Sequence, residues 1–187
     1  NTLVIFTSDN GGAHYIGLDD LNKPYRGWKA TFFEGGTRVP FFMQLPGVIA
    51  PGSQFTAPVS HFDIFATSAA LAGVQPPADR VIDGVNLIPF ARGEQVGRPH
   101  EQMFWRSGAY QVARSGDWKL QVNETQDKVW LFNLQDDPTE QHNLVDAEPA
   151  RVKELLAQLA EFNSQQKAPL WPSLVEAPIL IDKPLNR

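Results

Sequence analysis

The sequence predicts an α/β fold with a mostly parallel sheet and flanking helices over residues 1–97, followed by a small α+β unit over residues 98–187. A continuous run of apolar and β-branched residues at positions 3–7 is typical of a parallel strand, which is covered on both faces and needs no polar alternation. Beyond about Arg98, short aromatic-rich runs alternate with turn residues, which indicates an antiparallel meander.

The first predicted strand ends abruptly in Ser8-Asp9-Asn10-Gly11-Gly12. Ligands of open α/β sheets bind at the carboxyl ends of the strands, so Asp9 and Asn10 occupy a position where a ligand is expected. Their oxygen atoms suit a hard dication such as Ca²⁺ or Mg²⁺. We therefore predict both residues as metal ligands. Taken alone, the same residues are also typical of a tight turn, because Asn-Gly is a strong hairpin signal.

A polar, turn-rich stretch over residues 13–24 indicates a loop on the side of this site. His14 lies in it and is a candidate for substrate binding, since binding residues concentrate in loops. A basic set follows, in which Lys29 is the candidate for holding an anion beside the cation. A solvated surface side chain is the alternative for each of these two residues. The order and spacing of the whole combination favour a functional site.

The remaining part of the α/β region contains one strand and one helix. Residues 39–45 predict a strand that Pro46-Gly47 ends. Ser60 is expected to begin a helix, with Asp63 completing a weak capping box and Gly73 stopping the helix. We expect a structural role for His61, at the start of this helix.

The C-terminal unit is predicted to contain four strands and one helix. We expect Asp146 to cap the helix and Pro149 to occupy its first turn, where a missing N–H costs little. An apolar stripe is expected to cover one face of the sheet. Residues 168–187 predict an extended tail. The strands are predicted at 103–106, 110–114, 118–122 and 129–132, and the stripe comprises Val152, Leu155, Leu156, Leu159 and Phe162.

Composition excludes several classes of function. The net charge is −5 and no basic block occurs, which argues against an electrostatic nucleic-acid surface. No apolar run is long enough to span a bilayer. With no cysteine, the sequence contains neither disulfides nor cysteine-ligated zinc, and its redox compartment stays undetermined.

The combined pattern resembles the sulfatases of the alkaline phosphatase superfamily, including the arylsulfatases. Their metal-binding strand ends in Asp-Asn-Gly, and a later motif runs approximately Arg-Gly-Gly-Lys-Gly-Thr-x-x-Glu-Gly-Gly-x-Arg-Val-Pro. Residues 26–40 match this motif with Lys29 in register, although Trp28 and Ala30 replace two glycines. Residues 130–144 resemble a late family segment with the pattern Leu-Tyr-Asp-Leu…Asp-Pro-Glu…Asn-Leu.

This resemblance implies an alkaline-phosphatase-like fold and a calcium-dependent site for a sulfate ester, with Mg²⁺ as another candidate ion. Asp9 and Asn10 would bind the metal, Lys29 would bind sulfate and act in catalysis, and His14 would contact substrate. The family nucleophile is a formylglycine made from the first residue of a Cys/Ser-x-Pro-x-Arg motif, and no such motif occurs in these 187 residues.

The resemblance therefore implies the C-terminal portion of a periplasmic or secreted sulfatase. Its partner would be the N-terminal part of the same protein, which would carry the nucleophile, and the 187-residue piece alone is expected to be inactive. Two alternatives stay open: a phosphonate or phosphodiester hydrolase of the same superfamily, and a non-catalytic relative that binds sulfated glycans. Relatives of the first kind often have Asp-His where this chain has Asp9-Asn10, so Asn10 favours sulfate.

Overall fold

The computed structural model describes residues 1–18, 20–124 and 127–171. They form two compact units. The first consists of Asn1–Phe6 and Phe41–Glu101, and the second of Thr7–Pro40 with the described residues from Gln102 onward. The predicted domain boundary between residues 97 and 98 stays a prediction. Within the described ranges, no helix has both the length and the apolar character needed to cross a bilayer.

A two-stranded sheet and two helices make up the regular structure of the first unit. Strand β1 (Val4–Thr7) hydrogen-bonds to β2 (Phe41–Gln44), and helices α2 (Asp63–Leu71) and α3 (Ile88–Ala91) follow. The expectation that β1 is covered on both faces is wrong for the described residues. Alternate side chains point to opposite faces of a strand, and those on one face of β1, Val4 and Phe6, are 53% and 66% exposed. The larger, mostly parallel sheet is not seen among the residues described.

Helix α2 begins at Asp63, three residues later than predicted. One half of the expected capping box is present, because the Asp63 carboxylate accepts the Ser60 N–H at 2.7 Å. The same buried carboxylate accepts the N–H of Val85 at 2.9 Å and lies 2.8 Å from Nε2 of His100, so it fixes a loop as well as the helix start. The predicted stop is confirmed: the helix ends at Leu71 and Gly73 has a φ of 68°.

The second unit contains the predicted antiparallel meander, which is confirmed. Its strands pair in the order β3-β4-β5-β6, and the register places Leu120 opposite both Ala113 and Leu131. Because side chains alternate, this central row belongs to one face of the sheet. The strands are β3 (Gln102–Ser107), β4 (Tyr110–Ser115), β5 (Trp118–Asn123) and β6 (Lys128–Asn133).

Helix α4 (Pro149–Ser164) packs on that face through Leu155 and Leu159. The stripe is confirmed except at Leu156, which is 41% exposed because consecutive helical residues point about 100° apart. Pro149 lies in the first turn as expected, but Glu148 rather than Asp146 is the N-cap. The N–H groups of residues 147 and 148 both bond to the Leu144 carbonyl, so a turn delays the start of the helix. Residues 172–187 of the predicted tail lie outside the described residues.

The opposite face of the sheet is covered by the glycine-rich segment 26–37, which includes the one-turn helix α1 (Glu34–Thr37). Phe33 is 1% exposed and its ring lies 5.5 Å from that of Trp130 and 6.0 Å from that of Phe132. The guanidinium of Arg26 lies over the Phe33 ring at 4.2 Å. The sheet of the second unit is therefore buried on both faces, by a helix on one and by an irregular segment on the other.

Candidate active site

Two glycine-containing segments meet immediately after β1. The N–H of Gly11 donates to the carbonyl of Gly36 at 2.9 Å, and the N–H of Lys29 donates to the carbonyl of Gly12 at 3.3 Å. A Cβ atom on Gly11 would overlap the carbonyl oxygen of Gly35, so this approach requires glycine. The backbone that bears Lys29 is thus hydrogen-bonded to the segment that directly follows Asp9 and Asn10.

Asn22 adds a side-chain clamp to this junction, which the sequence alone does not indicate. Its Oδ1 accepts the Gly12 N–H at 2.7 Å, and its Nδ2 donates to the carbonyls of Gly12 at 2.9 Å and Gly27 at 3.3 Å. An asparagine in a turn-rich stretch commonly bonds to nearby backbone. That general tendency gave no indication of which backbone groups Asn22 would join.

The three charged or amide side chains predicted for the site are accessible. Asp9 and Lys29 are exposed and Asn10 is half-buried. In the described ranges, none of these three side chains takes part in an ion pair or in a side-chain hydrogen bond. They are therefore available to bind an ion or a substrate group. Their roles as metal ligands and as sulfate-binding group stay predictions.

The donor set fits a hard cation in type but supplies only part of a coordination sphere. Asp9 and Asn10 offer oxygen atoms, whereas Ca²⁺ takes roughly 6–8 oxygen ligands. Among the described residues, no three carboxylate, imidazole or thiol groups come together as a metal-binding cluster. Asp9 and Asn10 would therefore need further ligands from other groups to complete the coordination sphere.

His14 begins a short 3₁₀ helix, His14–Ile16, beside the residue that precedes Lys29. Its ring lies 6.2 Å from that of Trp28, and the ring of Tyr15 lies 5.8 Å from Trp28 in an edge-on arrangement. Trp28 occupies a position at which the sulfatases that the sequence resembles have glycine. The predicted contact between His14 and substrate stays a prediction.

A buried charge cluster lies beneath the lysine-bearing segment, and no sequence pattern predicts it. Lys119 Nζ lies 2.8 Å from Oε1 of Glu34 and 3.0 Å from Oε1 of Glu140. The exposed fractions of Lys119, Glu34 and Glu140 are 1%, 4% and 0%. Glu140 also accepts the N–H of Glu34 through Oε2 at 2.5 Å. Two carboxylates thus share one ammonium group inside the second unit.

Burial and charge oppose each other in setting the pKa values of this cluster. Burial alone would raise the pKa of Glu34, but the charge and hydrogen bond of Lys119, helped by Arg114 and Arg38, hold it below its usual range. Burial likewise would lower the pKa of Lys119, but the two glutamates outweigh this effect and raise it. Burial raises the pKa of Glu140, since the Lys119 charge offsets only part of that effect and the Glu34 charge reinforces it. The two glutamates of the cluster therefore differ, with the pKa of Glu34 below and the pKa of Glu140 above the ordinary value.

Apolar and polar residues alternate over positions 118–122, which indicates that Lys119 and Gln121 share one face of β5. In an isolated hairpin such a polar face would contact water, so the pattern alone favours exposure. Both side chains are buried instead, because segment 26–37 covers them. In the sequence, Glu34 is distinguished only as part of the motif at residues 26–40, and Glu140 only as part of the C-terminal segment at residues 130–144.

Comparison with known proteins places the chain among sulfatases by sequence and by structure. A family model described as "Sulfatase" matches residues 1–74. Steryl-sulfatase of Rattus norvegicus is 41% identical over 145 residues, which are 74% of this chain and 25% of that protein. N-acetylgalactosamine-6-sulfatase of Mus musculus is 40% identical over 125 residues, which are 65% of this chain and 24% of that protein.

A solved structure, the crystal structure of Ps i-CgsB, superposes with a TM-score of 0.80 at 30% sequence identity. The superposition covers 92% of this chain and 38% of the solved one. The chain thus spans about a quarter of the length of the two mammalian relatives and less than half of this solved structure.

Proposed function

Because the chain belongs to the sulfatase family, we propose that it forms part of an enzyme that hydrolyses sulfate monoesters. The observation that carries this proposal is the hydrogen-bonded junction between the Asp9-Asn10-Gly11-Gly12 segment and the loop that bears Lys29. It connects the backbone that carries the two proposed oxygen donors for a cation to the backbone that carries the proposed ammonium group for an anion.

Lys29 is proposed to bind a sulfate oxygen and to stabilise the negative charge that develops on the substrate in the transition state. A lysine suits this role because its ammonium is a compact point charge, and charge stabilisation of this kind is usually the largest single contribution to catalysis. Its side chain is exposed at the junction. His14, two residues beyond Gly12 in the chain, is proposed to contact the rest of the substrate.

Asp9 and Asn10 are proposed to supply part of the coordination sphere of Ca²⁺, with Mg²⁺ as the other candidate. When bound, such an ion acts as a Lewis acid that polarises a sulfuryl oxygen and orients the ester. This chain's own contribution is to hold one carboxylate and one amide at the end of β1. The proposed nucleophile is a formylglycine outside these 187 residues, since the corresponding motif does not occur here.

We further propose that β1 and β2 belong to a larger, mostly parallel sheet of the alkaline-phosphatase type. Large exposed apolar side chains of the first unit support this, and two of them adjoin, with the rings of Phe6 and Phe42 6.1 Å apart; contiguous exposed apolar surface usually marks an interface. Val4 and Phe6 of β1 and Phe42 of β2 are 53%, 66% and 64% exposed, and Phe65 of α2 is 53% exposed. A periplasmic or secreted location is proposed from the family resemblance alone.

Replacing Lys29 by alanine in the full-length enzyme tests the proposed function. We expect kcat/KM for a sulfate monoester to fall by roughly two to three orders of magnitude, as on loss of one charge-stabilising donor. Lys23→Ala is the matched control, because Lys23 is also an exposed lysine of this region but pairs with Asp20 at 2.5 Å.

Unchanged kinetics in Lys29→Ala would remove this lysine from the mechanism. Assays with a phosphonate monoester should be run in parallel on the unmodified enzyme. Faster turnover of the phosphonate than of the sulfate ester would contradict the assignment to sulfate.

A further inference from the structure

The loop that bears Lys29 is attached on both sides of the lysine to the antiparallel sheet and to Glu140, which follows the last strand of that sheet. Before it, Nη1 of Arg26 donates to the backbone carbonyl of Glu140 at 3.0 Å. After it, the N–H of Phe32 donates to the Tyr110 hydroxyl at 3.1 Å. The next attachment is the N–H of Glu34, which donates to the Glu140 carboxylate at 2.5 Å. The two ends of the loop are therefore held by groups of the C-terminal part of the chain.

The side chains that make these attachments are fixed by one another. The Tyr110 hydroxyl donates to Oε1 of Gln121 at 2.5 Å, and Nε2 of Gln121 donates to Oε1 of Glu140 at 3.1 Å. Lys119 then joins Glu140 to Glu34. We call Tyr110, Lys119, Gln121 and Glu140 the positioning network; none of the four is more than 6% exposed.

Such a network defines one backbone path for the segment that it contacts. A buried polar group that loses its partner pays its full desolvation cost, so shifting Phe32 or Glu34 away from the sheet would leave buried groups unpaired. Apolar side chains of similar volume often give equal or greater stability than buried ion pairs. Stability alone is therefore a weak explanation for charged groups at this position.

We propose that the positioning network fixes the Lys29 loop in the geometry needed for sulfate binding, so that the C-terminal sheet and the turn that follows it contribute to turnover without contacting the substrate. This inference rests on the proposed function of Lys29. The four network residues act through the loop and are positioning residues.

Tyr110→Phe is the informative variant. It removes the hydroxyl that accepts from Phe32 and donates to Gln121, and it keeps the ring that packs against Phe32 at 4.6 Å. Gln121→Met is a second, independent break, because it removes both hydrogen bonds of the amide at similar volume. Leu120→Val is the matched control, since Leu120 lies in the same strand and is fully buried, but it packs with α4 on the other face.

The first measurement reports on the loop itself. In the full-length enzyme, with any cysteine outside residues 1–187 replaced by serine, Lys29→Cys is the single site for a nitroxide label, because residues 1–187 contain no cysteine. We expect the spectrum of this label to show greater mobility in Tyr110→Phe and in Gln121→Met, and to be unchanged in Leu120→Val. An unchanged spectrum in both network variants, or an equal change in Leu120→Val, would overturn the inference.

The second measurement is the activity of the full-length enzyme. We expect kcat/KM for a sulfate monoester to fall roughly ten- to a hundredfold in Tyr110→Phe, as for small misplacements of a catalytic group by a remote change, and to stay within about twofold in Leu120→Val. The melting temperatures of the two variants are compared so that loss of folded enzyme is accounted for.

The two levels of the hypothesis fail in different ways. If Lys29→Ala lowers kcat/KM but Tyr110→Phe does not, the positioning role is wrong and the proposed function stands. If Lys29→Ala leaves kcat/KM unchanged, the proposed role of Lys29 is wrong, and the inference fails with it.

Discussion

At the scale of single residues, Lys119 illustrates how a buried charge depends on its partners. Its side chain is 1% exposed and lies within 3.0 Å of two carboxylates. The desolvation of an ion is offset only where geometry and hydrogen bonds are good. The Glu140 carboxylate also accepts the Glu34 N–H and Nε2 of Gln121. The Glu34 carboxylate has a more distant second partner, Nη1 of Arg38 at 3.9 Å.

Lys119→Met is expected to lower the free energy of unfolding at pH 7 by about 3–5 kcal/mol, because it leaves two buried carboxylates without their cation. Without that cation, the pKa of each carboxyl group rises above its value in the unfolded chain. A carboxyl group with a raised folded pKa gains stability as the pH falls through that value. Part of the loss should therefore be recovered at pH 5, which urea unfolding at the two pH values measures.

Lys128→Met is the control for this experiment, because Lys128 is an exposed residue of the same sheet. We expect it to change the free energy of unfolding by no more than about 0.5 kcal/mol. A loss of equal size at pH 7 and pH 5 in Lys119→Met would show that lost packing, rather than charge, is responsible.

At the scale of elements, the candidate site depends on close backbone contact between the segment that follows β1 and segment 26–37, with no side chain between them. Gly11 hydrogen-bonds to Gly36, and Gly35 N–H donates to the Arg26 carbonyl at 2.6 Å. A side chain at these positions would meet backbone atoms, which cannot rotate away. Gly11, Gly35 and Gly36 therefore serve a common steric purpose.

Gly11→Ala is expected to lower the free energy of unfolding by about 1–3 kcal/mol, the usual cost of inserting atoms into a packed site. The new methyl group would overlap the Gly35 carbonyl oxygen. The adjacent Gly12→Ala is the control, and its methyl group would chiefly meet the Leu21 side chain, which can rotate. Urea unfolding of the two variants measures the difference, and a larger loss in Gly12→Ala would contradict this explanation.

At the scale of the whole molecule, ligand binding to the native state raises the stability of the entire fold by mass action. We expect calcium to raise the melting temperature of the full-length enzyme, and Asp9→Ala to abolish that rise. Asp136→Ala is the control, because Asp136 is exposed and lies beyond the end of β6. Thermal unfolding with and without added calcium provides the measurement. A rise that persists in Asp9→Ala would place the cation elsewhere.

Much of the local structure could be predicted, because it depends on neighbours in the sequence. The period-two pattern and its turns identified the four strands of the meander, and Pro149 marked the first turn of α4. The errors occurred where non-local groups compete. Asp146 did not cap α4 because the chain first forms a turn onto the Leu144 carbonyl, and β1 is exposed on one face within the described residues.

By itself, the sequence determined the order of Asp9, Asn10 and Lys29 and the strand that precedes the first two, since spacing and turn chemistry are local properties. Only the tertiary structure decided which groups hold the Lys29 loop. Glu34 and Lys119 are 85 positions apart in the chain, and Glu34 and Glu140 are 106 apart. The alternation of β5 shows that Lys119 and Gln121 share a face, but what covers a face depends on packing between distant segments.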